Sequence, residues 1–130
     1  MQPHEPRPAF HPWFELDVDA DVALMTRTDA PFADLAEVER VHLDLLEALE
    51  EIDVPCLLTD LRAAPGRNDP GFERVLAPIR ERIYAAFERR AVVVRSAIGR
   101  LQVQRHAEQD GIDMRVFLDP DEARRWLRSG

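Results

Sequence analysis

The chain has 130 residues, 45% hydrophobic and 32% charged, with a formal net charge of −8; this fits one soluble globular domain and excludes a disordered chain. All its basic residues are arginines, and a net acidic chain repels nucleic acid and anionic membranes, so neither is an expected partner. One cysteine, Cys56, excludes an internal disulfide and any Cys-rich zinc module, and no apolar run is long enough to span a membrane.

Residues 1–12 are Pro-rich and aperiodic, which predicts a flexible tail ahead of a domain over 13–130. They hold no apolar block, so no signal peptide is expected and the cytoplasm is the expected compartment. Trp13–Val18 alternates, with Phe14, Leu16 and Val18 on one face. A short turn leads to a second strand over Val22–Thr28, which makes a hairpin. Phe10 and Trp13 are either the start of the sheet or a docking patch. Asp34 is a helix N-cap, with Glu37 three residues on. Leu35, Val38, His42, Leu45, Leu46, Leu49 and Ile52 then recur at helical spacing, opposite an acidic face.

Val54–Leu61 is almost continuously apolar, as in a parallel strand buried on both faces. Turn residues over 62–71 follow, and Asp69-Pro70 opens a second helix as N-cap and first helical residue. Its apolar face holds Phe72, Val75, Leu76, Ile79, Ile83 and Phe87, and Pro78 is expected to kink or break it. Ala91–Arg95 is a short buried strand. Ser96 caps a third helix through about Gln109, with Gly111 as its stop. Met114–Leu118 is the last strand. Asp119-Pro120 with Glu122 opens a final helix through Leu127, where Trp126 and Leu127 close the core. The order β-β-α-β-α-β-α-β-α predicts a single α/β domain, with a mixed, mostly parallel five-stranded sheet packed by four helices.

The charges are unevenly spread. Residues 1–61 carry 15 acids and 3 arginines, residues 62–130 carry 10 acids and 14 arginines. An anion site is therefore expected in the second half. Ligands of such sheets bind outside the carboxyl ends of the strands. There the chain places Asp60, Arg62, Arg67, Asn68, Asp69, Arg95, Ser96 and Arg100. Converging arginines and helix N-termini suit a phosphate or carboxylate; mutual ion pairs are the plainer alternative. Gln102, Arg105 and His106 lie on a helix with a thin apolar pattern, which makes it either solvated or a partner surface. His42, alone on an apolar face, is expected as a hydrogen-bonded core residue. Cys56 is expected as a buried small hydrophobe. No nucleophile elbow, phosphate loop or metal spacing is present, so no catalytic residue, metal or cofactor is assigned.

The segments TDLRAAPGRNDPGFE (Thr59–Glu73) and VVVRSAIGRLQVQRHAEQDG (Val92–Gly111) resemble the STAS domain, the fold of anti-sigma factor antagonists. More closely, they resemble the STAS/SEC14-like group of small bacterial proteins. The resemblance spans about residues 13–128. It implies a regulatory surface where the third strand's loop opens a helix. In sigma-factor antagonists a serine there is phosphorylated by a partner kinase; here Pro70 stands in the matching stretch, so that switch is not carried over. The implied function is a non-catalytic signalling module that binds a protein partner or a small anionic ligand through these loops. Two alternatives stand beside it: a SEC14-like carrier of a small lipophilic ligand, and an enzyme of unknown type. A homodimer through the sheet edge or the hairpin is a further expectation.

Overall fold

A computed structural model describes residues 10–65, 70–109, 111 and 113–129. The strands are β1 (Phe14–Asp19), β2 (Val22–Arg27), β3 (Cys56–Asp60), β4 (Arg89–Val93) and β5 (Arg115–Phe117). They form one sheet in the order β1-β2-β3-β4-β5. β1 and β2 pair antiparallel, from Phe14 opposite Arg27 to Asp19 opposite Val22. The remaining pairs are parallel. Ala20 in the hairpin turn takes φ 55°, the left-handed conformation that a two-residue hairpin loop demands. Phe10 is buried and joins the larger core, which settles it as the entry to the sheet rather than a docking patch.

The helices are α1 (Leu35–Glu50), α2 (Pro70–Ala85), α3 (Ala97–Gln109) and α4 (Pro120–Arg128). Asp34 caps α1 by accepting from the Glu37 N–H at 2.8 Å. Glu37 in turn accepts from the Ala33 N–H, a near-reciprocal arrangement that satisfies two otherwise free donors. Asp119 caps α4, with Pro120 in its first turn. Pro70 is the first residue of α2; its expected cap, Asp69, lies outside the described residues.

Pro78 does not break α2, which runs on to Ala85. Pro78 is solvent-exposed, so water can take the carbonyl it leaves unpaired.

The period of two divides the sheet into two faces. Ala23, Met25, Leu57, Val92, Val94 and Val116 belong to one core, with Val41, Leu45 and Leu49 of α1 and Ile79 and Ile83 of α2. Val22, Cys56, Leu58, Ala91 and Val93 belong to the other, closed by Ala123 and Leu127 of α4, with Trp126 packed against it. Cover on the first face is uneven. Ala107 alone is buried among the residues of α3, and Ile98 and Leu101 remain 70% and 66% exposed. In α2, Phe72, Val75 and Leu76 are only half-buried, although their spacing reads as core.

Candidate functional site

The loose fit of α3 leaves a cavity of about 650 Å³ between the first sheet face and α1, α2 and α3. Phe14, Leu45, Phe72, Leu76, Ile83 and Met114 give it an apolar wall. Its size and lining are those of a small-molecule pocket. It reaches Arg95 and Ser96, just beyond the C-terminal end of β4, and crosses the sheet face to the buried Thr59 and Arg27.

Polar groups sit at two levels. Near α3, the Arg80 guanidinium donates to the Glu73 carboxylate at 3.1 Å and 3.5 Å, and His106 Nδ1 lies 4.0 Å from the same carboxylate. Arg95 is exposed. The Ser96 hydroxyl accepts from the Gly99 N–H at 3.1 Å and so caps α3.

The inner level is built on β2, β3 and α1. Arg27 is only 7% exposed. It donates through Nη1 to the Thr28 carbonyl and through Nη2 to the Ala30 carbonyl, which pins the chain after β2. Burial pushes its pKa down, opposed by Asp29. His42 donates from Nδ1 to the Val38 carbonyl at 2.7 Å, because carbonyl oxygen can only accept. Burial lowers the His42 pKa, the Val38 bond opposes this, and the Arg27 and Arg80 charges lower it further; the ring is neutral at pH 7. Thr59 is 2% exposed, and its hydroxyl has no hydrogen-bond partner among the described residues.

The expected anion cluster is divided by the sheet. Asp60 and Arg62 face α4, in a smaller cleft with Leu58, Pro120 and Arg124. There Arg62 Nε and Nη2 reach the Asp60 carboxylate at 3.0 Å and 2.7 Å, and the Arg62 N–H adds a third bond. The Arg62 hydrogen bonds hold the Asp60 carboxyl below its usual range, against the cost of burial. Arg95 and Ser96 belong to the cavity on the other face. Arg100 is exposed and outside its lining. Arg67, Asn68 and Asp69 lie outside the described residues. Of the α3 set, Gln102 and His106 line the cavity, whereas Arg105 does not.

Arg27, Thr59, Glu73 and Arg80 are cavity residues that the sequence did not single out. A signal for two of them exists: Arg27 shares the face of Ala23 and Met25, and Thr59 that of Leu57, so each is polar at a core position of period two.

Cys56 is buried; burial first, then Asp21, pushes its thiol pKa up, which keeps it protonated and unreactive. Among the described residues, no three His, Cys, Asp or Glu side chains are placed to hold a metal ion. No described helix is long and apolar enough to cross a membrane.

A crystal structure of an uncharacterized protein from Shewanella loihica PV-4, of the DUF3478 family and with a SpoIIAA-like fold, superposes with a TM-score of 0.64. The alignment covers 88% of this chain and 91% of that one at 15% identity. The fold is STAS-like. An anti-sigma factor antagonist from Mycobacterium paratuberculosis matches at a TM-score of 0.58 and 16% identity, over 88% of this chain and 92% of its own. No family model matches the chain, and no curated protein matches its sequence. The STAS-like fold therefore rests on architecture: at these identities the shared features are strand order and helix placement, not side chains.

Proposed function

We propose that this chain is a non-catalytic STAS-like binding module that holds a small molecule with a largely apolar body in the cavity beneath α3. The observation that supports this best is the cavity itself, about 650 Å³ and walled mainly by apolar side chains, in a domain whose α3 buries almost nothing of its own. Loss of core packing at this scale is costly, and a ligand's body would restore the missing contacts. This favours the lipophilic-ligand alternative over an anion held on the surface loops. Arg95, Ser96, Gln102 and His106 then act at the cavity edge, and Asp60 with Arg62 acts as a structural pair.

A protein partner at the β3–α2 loop is a second reading, favoured by the likeness to an anti-sigma factor antagonist. A phosphorylation switch in that stretch is not proposed, because Pro70 supplies no hydroxyl. The cytoplasm remains the proposed compartment.

Native mass spectrometry of the purified chain tests the primary reading. A bound species of a few hundred daltons, removed by organic extraction and missing from Leu76→Trp, is expected. A bare chain that also fails to take up N-phenyl-1-naphthylamine would overturn it, and retention of a defined partner protein would then support the second reading.

A further inference from the structure

The inner end of the cavity is chemically unlike its walls. Thr59 is the penultimate residue of β3, between Met25 of β2 and Val92 of β4. Its hydroxyl is buried and unpartnered among the described residues, a condition that normally destabilises a protein. Rotation about the Cα–Cβ bond exchanges the hydroxyl and methyl groups of a threonine, so this one position offers either to the cavity. Arg27 lies on the same sheet face, one row further along β2. Its hydrogen-bond partners are backbone carbonyls taken by Nη1 and Nη2, and the Nε–H takes none. No carboxylate among the described residues forms an ion pair with it; Asp29 acts on it only through space. Arg80 differs, because Glu73 already pairs with it. His42 is neutral and its Nδ1–H is spent on Val38.

A buried cation without a paired anion is unfavourable, and an unpaired buried hydroxyl adds to that cost. Both are relieved by one guest group. Among the described residues Arg27 is the buried cavity cation without a carboxylate partner, and one such charge matches a monoanion. We propose that the cavity takes a carboxylate carried on an apolar body, oriented head-inward, with the carboxylate accepting from the Thr59 hydroxyl and facing the Arg27 guanidinium. This deepens the cavity reading above and rests on it. Arg27 also holds the carbonyls of Thr28 and Ala30, so Thr59 is the position at which recognition can be removed without dismantling the fold.

The test is calorimetric titration of decanoate and decan-1-ol into the wild type, Thr59→Val and Thr59→Ser, with melting curves of each protein without added ligand. Decanoate is expected to bind the wild type and Thr59→Ser alike and Thr59→Val about tenfold more weakly, the size of one hydrogen bond to a charged acceptor. Decan-1-ol is expected to bind the wild type at least tenfold more weakly than decanoate. Thr59→Val alone is expected to melt no lower than the wild type, since it removes an unsatisfied hydroxyl from an apolar site. Loss of binding without loss of stability is the signature that a purely structural threonine would not give. Equal decanoate affinity in the wild type and Thr59→Val, or equal affinity for the acid and the alcohol, would overturn the inward carboxylate while leaving the cavity reading intact. Failure of both probes, together with no uptake of N-phenyl-1-naphthylamine, would overturn both.

Discussion

Arg27 and His42 are held by the same two aromatic rings. The Arg27 guanidinium lies 4.8 Å from the Phe32 centroid and 5.6 Å from that of Phe14, and the His42 ring lies 5.6 Å and 5.2 Å from the same two. A buried cation and a titratable ring thus share one aromatic cage, and the cation opposes protonation of the ring.

That arrangement fixes the sign of a pH effect. The His42 pKa is lowered in the folded state, so below the ordinary histidine value the unfolded chain binds more protons and stability falls with pH. The loss begins as pH drops through about 6.5, the unfolded value, and continues to the lowered folded value. Asp60, whose pKa is also lowered, contributes stability that is lost only in the more acidic carboxylate range, below about pH 4. Urea midpoints between pH 5 and 8 should decline on the acid side for the wild type. His42→Phe should flatten that decline, whatever its effect at pH 8; an unchanged slope would show that His42 does not cause it.

Arg27→Ala should cost about 2–4 kcal/mol, because it strips buried carbonyls of their charged donor. Arg27→Lys should not restore the loss: one ammonium lacks the planar fork that reaches the Thr28 and Ala30 carbonyls together. Chemical denaturation of both variants checks this, and a Lys variant as stable as the wild type would contradict the clamp.

Arg62→Ala should change folding stability by no more than about 1 kcal/mol, since the Arg62 side chain is 47% exposed and solvent screens such pairs. It should leave decanoate uptake unchanged, because Arg62 lies on the α4 face of the sheet. A parallel melt and titration measures both; lost uptake would return Asp60 and Arg62 to the binding site.

The two walls of the first face should respond differently to the same truncation. Leu45 is 0% exposed, and Leu45→Ala should cost about 2–5 kcal/mol. Leu76 has the cavity on one side and fewer packing contacts to lose, so Leu76→Ala should cost under about 1.5 kcal/mol. Denaturation midpoints decide the order.

Element order was legible because its punctuation is local. Asp34 with Glu37 and Asp119-Pro120 mark helix starts that need nothing from the rest of the chain, and the alternation from Phe14 to Val18 is a strand in any context. The inner polar end was harder to see, because Thr59 is embedded in VPCLLTDL and Arg27 closes an apolar strand, so both read as punctuation to a core. The division of Asp60 from Arg95 follows from strand parity and the strand ends, which the apolar runs alone do not fix. The cavity was not legible at all. Phe72 and Leu76 have core spacing, and only the three-dimensional course of α3, which buries Ala107 alone, leaves them facing a space rather than a neighbour.

The most direct test of the account is a fluorescence titration of N-phenyl-1-naphthylamine into the wild type and Leu76→Trp. A saturable, one-to-one enhancement in the wild type that is lost in the folded Leu76→Trp variant is the predicted result. No enhancement in the wild type, or the same enhancement in both, would contradict the claim that the space beneath α3 is a binding site.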